Sequence, residues 1–185
     1  MKPKSVASTL MVVALLGVAL VAPVSAAPPG PRLTGGIQFS APGWGDLTIW
    51  QQYSVFQTDP STHAAKGHVN GQIYSPTDGW RRIDAEATCL AVTEEPDGSK
   101  TAVVVAQLVS KRGWGAGELG EHARFWVRDG GTPGAAGDQW MTQSYQWEPE
   151  WLEFWPADEP APDCESFIPD ESPFAVNHGN LVIHN

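Results

Sequence analysis

The side chains best suited to chemistry lie in the stretch YQWEPEWLEFWP at 145–156. Its tryptophans recur at every fourth residue, with glutamates between them: Trp147, Trp151, Trp155, Glu148, Glu150 and Glu153. Aromatic faces stack on the apolar faces of sugar rings, and carboxylates accept hydrogen bonds from sugar hydroxyls. We expect these residues to form either a glycan-binding surface or an aromatic flap over the sheet. A glycan hydrolase is the alternative, because glycoside hydrolysis needs a pair of carboxyl groups about 5 Å or about 6.5–9.5 Å apart.

Two further carboxylates, Asp129 and Asp138, belong to the glycine-rich stretch VRDGGTPGAAGDQW at 127–140. An aspartate before glycine can accept a hydrogen bond from the backbone two residues on, and glycine supplies the positive φ that such turns need. Calcium binds six to eight oxygens from closely spaced carboxylates, a density that this stretch lacks. The sequence therefore favours a structural turn, and a calcium site at Asp129 and Asp138 is the alternative. We expect no other cofactor.

The amino terminus has the pattern of an export signal. Lys2 and Lys4 precede an apolar run at 12–21, and Val24-Ser25-Ala26 supplies the small residues that a signal peptidase reads. The apolar run is short for a membrane span. We expect a secreted, extracellular protein with three parts: a signal peptide at 1–26, a flexible lead-in at 27–36 and a single β domain at 37–185.

The two cysteines, Cys89 and Cys164, predict one disulfide, because an exported chain with an even number of cysteines forms disulfides. Closing a loop of about 75 residues stabilises a fold by roughly 4 kcal/mol on the chain-entropy model.

The formal net charge is −10 at pH 7, and its distribution is uneven. No Lys or Arg follows Arg128, whereas carboxylates are dense between Asp129 and Glu171. Such a surface repels nucleic acid and anionic lipid, so we expect no nucleic-acid partner, and we expect no membrane span. We expect a monomer.

The elements that must position these residues are short strands with alternating polarity. Val69 and Ile73 alternate with polar residues, and Phe125 and Val127 do the same. Separated by turn residues, the segments predict an all-β fold: an antiparallel barrel, or the closely related sandwich, of about eight strands. A long Trp-, Glu- and Pro-rich loop at 148–173 precedes the last strand.

One predicted strand, at 80–92, presents mostly small residues to the interior: Ile83, Ala85, Ala87, Cys89 and Ala91. The next strand adds valines of modest size: Val103, Val105 and Val109. A small-residue interior can leave a cavity for a small apolar ligand, or it can receive large aromatics from opposite strands. The sequence favours filling by aromatics.

Three segments resemble a small secreted β-domain of unassigned function, found mostly in actinobacteria and sometimes beside choice-of-anchor P regions. They are ATCLAV (87–92), VRDGGTPGAAGDQW (127–140) and the closing HGNLVIHN (178–185). The resemblance covers about residues 35–185 and implies no catalytic residues. Together with the tryptophans, it points to a non-catalytic binding or cell-envelope interaction module. Its expected partner is a cell-envelope glycan, with the glycan hydrolase and the hollow barrel as alternatives.

Overall fold

The computed structural model describes residues 30–41, 46–113, 120–131, 134, 137–142, 163–164 and 174–185. Within these residues the backbone forms nine strands and no helix. The strands are β1 (Arg32–Ala41), β2 (Leu47–Asp59), β3 (Ala64–Ser75), β4 (Gly79–Glu94), β5 (Lys100–Arg112), β6 (His122–Asp129), β7 (Gln139–Thr142), β8 (Phe174–Ala175) and β9 (His178–His184).

All nine strands belong to one antiparallel sheet, in the order β8-β7-β6-β5-β4-β3-β2-β1-β9. Strands β1 to β8 follow one another as a meander, and β9 returns to pair with β1. The sheet curls into a half-barrel. The predicted all-β antiparallel fold is thus confirmed, with nine strands instead of about eight.

The core lies on the inner face of the curled sheet because side chains alternate between the two faces of a strand. Strand β2 shows this pattern, with Ile49 and Val55 buried and Gln52 and Ser54 exposed. The alternation predicted for β3 and β6 is confirmed by four inward residues that are at most 2% exposed: Val69, Ile73, Phe125 and Val127.

Strand β1 begins at Arg32, so the prediction of a flexible lead-in is wrong for residues 32–36. The glycines that suggested flexibility have a packing role instead. Gly35 has a φ of +124°, and a Cβ at this position would lie 2.0 Å from the carbonyl oxygen of Asn180 on β9. Only glycine tolerates this approach, and β1 can therefore pair with β9 along its first half.

The inward face predicted for β4 is correct for Ile83, Ala85 and Ala87 and wrong for Cys89 and Ala91. The pairing register between β4 and β5 shifts between Ala87 and Cys89. A bulge adds one residue to one strand and moves the following side chains to the opposite face. After the bulge Leu90 enters the core, and Cys89 packs on the other side of the sheet.

The disulfide between Cys89 and Cys164 is present, with the two Cα atoms 6.0 Å apart. Cys164 is buried against Val103 and Val105 on β5. The disulfide therefore holds Cys164 against the outer face of β5. Strand β5 is buried on both faces from Thr101 to Ala106 and is exposed at Gln107 and Val109.

Large aromatic side chains belong to the same buried core as the small residues Ala85 and Ala87. Phe39, Phe125 and Trp140 are completely buried, and the indole Nε1 of Trp140 donates a 2.9 Å hydrogen bond to the phenol oxygen of Tyr53. Of the three valines cited for a hollow interior, two face the disulfide and Val109 is 55% exposed. These three valines therefore do not line the core, and the hollow barrel stays a prediction.

Candidate functional site

Three aromatic side chains form a continuous group on the outer face of β2, β3 and β4. The ring centroids of Trp50 and Trp80 are 5.1 Å apart, and those of Tyr74 and Trp80 are 5.2 Å apart. Trp80 is 59% exposed and Tyr74 is 38% exposed. We call Trp50, Tyr74 and Trp80 the aromatic platform.

Strand register brings the aromatic platform together from three strands. Tyr74 and Trp80 are direct partners across β3 and β4, and Trp50 on β2 is opposite Gln72 on β3. Direct partners on one face of a sheet have Cβ atoms about 4.5–5.5 Å apart, which places their rings in contact.

The turn between β3 and β4 fixes the ends of the strands that carry Tyr74 and Trp80. The hydroxyl oxygen of Ser75 accepts hydrogen bonds from the backbone N–H groups of Thr77 (3.3 Å) and Asp78 (3.2 Å). Gly79 follows with a φ of +78°, which favours glycine. These contacts set the path of the chain from Tyr74 to Trp80.

Three arginines border the aromatic platform and form what we call the basic rim: Arg81, Arg82 and Arg112. Arg82 lies opposite Gln72 on one side and opposite Arg112 on the other. Both its Nε and its Nη2 donate to the same carboxylate oxygen of Asp84, at 3.1 and 2.8 Å. Asp84 thereby fixes the orientation of the Arg82 guanidinium. Arg112 is exposed and has no ion pair with any residue that the structure describes.

An open depression of about 330 Å³ lies where the platform meets the basic rim. It is lined by Gln72, Trp80, Arg81, Arg82, Arg112 and Gly113. Gly113 has a φ of +78°, and a Cβ there would lie 2.8 Å from the carbonyl oxygen of Trp80. Glycine therefore lets the end of β5 approach β4 beside Trp80. The depression combines one aromatic face with amide and guanidinium hydrogen-bond donors.

The residues that the sequence favoured for glycan binding lie outside the described residues: Trp147, Trp151, Trp155, Glu148, Glu150 and Glu153. Their roles in binding, in a flap or in hydrolysis stay predictions.

Asp129 and Asp138 both lie within the described residues, and each accepts hydrogen bonds from the backbone. Asp129 accepts from Gly131 N–H at 2.8 Å and from Ile183 N–H at 3.0 Å. Asp138 accepts from Gly130 N–H at 3.0 Å and from Leu181 N–H at 3.2 Å. Each of the four carboxylate oxygens therefore faces an N–H donor, and the bond to Gly131 is the one that the turn prediction describes.

These contacts join the turn after β6 to the free edge of β9. The N–H groups of Leu181 and Ile183 donate to carboxylates where a further strand would otherwise supply carbonyl oxygens. Asp138 is 1% exposed, and burial, followed by repulsion from Asp129, raises its pKa above the ordinary value. Among the described residues, no group of three His, Cys, Asp or Glu side chains is placed to hold a metal ion. The calcium alternative stays a prediction.

A buried amide on β2 is the most unusual polar group of the interior. The Gln51 side chain is 1% exposed, and neither its Nε2 nor its Oε1 has a hydrogen-bond partner in the described part of the chain. It lies opposite Ile37 on β1 and Gly71 on β3. An unpaired buried amide is costly, so its effect on stability is open to a direct test.

The sequence analysis did not identify the aromatic platform, although a signal was present. Ile73 and Ile83 point inward, so Tyr74 and Trp80 must point outward on the same alternation. The segment YSPTDGW (74–80) also contains the turn residues that bring these two aromatics opposite each other. Recognising Trp50 as the third member requires the register between β2 and β3.

Comparison of the chain with protein-family models, with curated proteins and with solved structures gave no match. The described residues include no helix with the length and apolar character that crossing a membrane requires.

Proposed function

We propose that this protein is a secreted binding module that recognises a glycan of the cell envelope through the aromatic platform. The observation that carries the proposal is the exposure of two adjacent large aromatics, Trp80 and Tyr74, on an ordered hairpin. Exposed apolar patches on soluble proteins mark interaction sites, because water contact with such side chains is unfavourable. The disulfide between Cys89 and Cys164 supports secretion, because disulfides persist in oxidising compartments.

The polar surroundings of the aromatic platform favour a sugar over a purely apolar ligand. Gln72 and Arg82 lie in one row with Trp50 across the sheet, and both are exposed. A pyranose presents C–H groups on its face and hydroxyls at its edge, so stacking on Trp80 brings the hydroxyls to these side chains. The depression is open, and a chain of sugars can therefore extend across the outer face.

The test is co-sedimentation of the full chain with purified bacterial cell walls and with insoluble polysaccharides that differ in backbone and charge. Trp80→Ala should weaken binding to the retained polysaccharide by at least about tenfold, because removing an aromatic anchor from the centre of a binding site costs about 2 kcal/mol.

Val109→Ala is the matched control, because Val109 is another exposed apolar side chain on the sheet, 55% exposed and outside the platform. It should leave binding unchanged. Failure of the wild type to bind any of these polysaccharides, or equal binding by wild type and Trp80→Ala, would refute the proposal.

A further inference from the structure

We propose that the glycan recognised by the aromatic platform carries carboxylate groups and that the basic rim selects it for them. This inference rests on the proposed function and names the class of sugar: uronic acids within a polysaccharide.

Positive charge is concentrated at one site of this acidic protein. The chain has 11 Lys and Arg residues against 21 Asp and Glu, and its formal net charge is −10. Two of those cations, the exposed cross-strand partners Arg82 and Arg112, line a depression beside Trp80, and the mostly buried Arg81 reaches its wall. Charged residues that serve only solubility do not need to cluster at one site. Recognition of an anion by a negatively charged protein requires a locally positive surface.

Two arginines lie directly opposite each other on β4 and β5. Arg82 and Arg112 are cross-strand partners, and like charges at such positions destabilise a sheet. Asp84 neutralises Arg82 through two hydrogen bonds to one oxygen, but Arg112 has no ion pair with the described residues. Arg81 is 3.8 Å from Asp78. Among the described residues, the charge of Arg112 therefore has no counter-charge, and one carboxylate per bound sugar would balance it.

The spacing of Trp80 and Arg82 also suits a uronic acid. Trp80 and Arg82 are two residues apart on β4, so they share a face and their Cα atoms are separated by about 7 Å along the strand. The carboxylate of a hexuronic acid lies at the edge of the pyranose ring. Stacking of that ring on Trp80 consequently directs the carboxylate sideways, toward the guanidinium groups. A guanidinium donates two parallel N–H groups to a planar carboxylate, which gives both strength and orientation.

The experiment measures binding of the full chain to oligosaccharides of polygalacturonate and of alginate, each beside its carboxyl-reduced counterpart. The two members of a pair differ in charge and share the sugar backbone. The wild type should bind at least one of the acidic forms about tenfold more tightly than the reduced form, in line with charge-assisted hydrogen bonds. Added salt should shrink this preference because the site is exposed.

Arg112→Gln should reduce the preference to within about threefold while leaving affinity for the reduced oligosaccharide unchanged. Arg32→Gln removes the same charge from β1 and is the control. Arg32 is six residues along β1 from Gln38, the partner of Trp50, or about 20 Å along the strand. It should leave the preference intact. Circular dichroism of both variants checks that each is folded.

The possible results separate this inference from the proposed function. Equal binding of acidic and reduced forms by the wild type overturns the carboxylate inference and leaves the glycan-binding proposal standing. An equal loss of preference in Arg112→Gln and Arg32→Gln also overturns it, because the effect then comes from net charge. Binding of no member of either pair overturns the carboxylate inference, and the polysaccharide panel of the co-sedimentation assay then decides the broader proposal.

Discussion

Asp138 accepts a hydrogen bond from the edge strand β9, and this contact predicts the effect of Asp138→Asn. The carboxylate accepts one N–H group on each oxygen, from Gly130 and from Leu181. Asparagine keeps one acceptor oxygen and places an NH₂ group where the other oxygen was. One of the two backbone N–H groups is then left without an acceptor in a position that is 1% exposed.

The size of the effect follows from two opposing terms. An unsatisfied buried N–H costs about 1–3 kcal/mol. Burial and the neighbouring Asp129 raise the pKa of Asp138, so the native state disfavours the charged carboxylate. Asparagine is neutral, and the loss of the charge offsets part of the lost hydrogen bonding. We expect a net loss of about 1–2 kcal/mol in the free energy of unfolding at pH 7. For a domain of this size that corresponds to a decrease in Tm of about 2–8 °C.

The direction of the pH dependence is also fixed. A carboxyl whose pKa is raised in the native state takes up its proton there before the unfolded chain does. The wild type therefore gains stability from Asp138 as the pH falls through the raised pKa toward 3.8, and Asn at this position gains none. The stability difference between the wild type and Asp138→Asn should be larger at pH 4 than at pH 7.

Urea unfolding gives the free energy, and hydrogen exchange identifies the contacts. In Asp138→Asn the amide that loses its acceptor, that of Gly130 or that of Leu181, should exchange faster, whereas that of Ile183 should remain protected because Asp129 is its acceptor. Asp46→Asn is the stability control, since Asp46 is exposed and its positive φ suits asparagine. Unchanged stability together with unchanged exchange at both amides would refute the role of Asp138 as the acceptor for Gly130 and Leu181.

Two other side chains make separate predictions. Gln51→Met should raise the free energy of unfolding by about 1–3 kcal/mol in urea titrations, because it removes a buried amide without a partner in the described residues. A less stable variant would show instead that the amide is hydrogen-bonded in the interior. Asp97 has a lowered pKa through hydrogen bonds from Ser99 and attraction to Arg128, so its stabilisation is present above pH 3.8 and is lost as the pH falls through the lowered value. The difference in Tm between the wild type and Asp97→Asn should therefore shrink as the pH falls below 3.8, and a difference that grows instead would contradict this.

Local pattern was enough to predict the inward positions of β3 and β6 and the pairing of Cys89 with Cys164. Alternation fixes the face of Val69 and Phe125 without knowledge of any other strand. It fails at Cys89, because the bulge after Ala87 is an irregularity of pairing with β5 and leaves no mark in the β4 sequence. A single-strand pattern cannot reveal a change of face that the neighbouring strand imposes.

The candidate site was harder to predict because it depends on contacts between distant parts of the chain. Trp50 is 30 residues from Trp80, and their contact follows from the registers of two successive strand pairs. The acceptors for Leu181 and Ile183 come from Asp138 and Asp129, more than 40 residues away. The sequence shows the residue types in both cases, and only the curled sheet shows which of them meet.

The most direct test of the aromatic platform is a ¹H–¹⁵N spectrum of the tryptophan indoles during titration with fragments of the polysaccharide that the wild type retains. We expect the indole N–H signals of Trp80 and Trp50 to shift and broaden as binding saturates. The signal of Trp140 should not move, because its indole is buried and bonded to Tyr53. Saturable shifts confined to the tryptophans of the late stretch, with Trp80 unchanged, would contradict the platform and favour the site first predicted from the sequence: Trp147, Trp151 and Trp155.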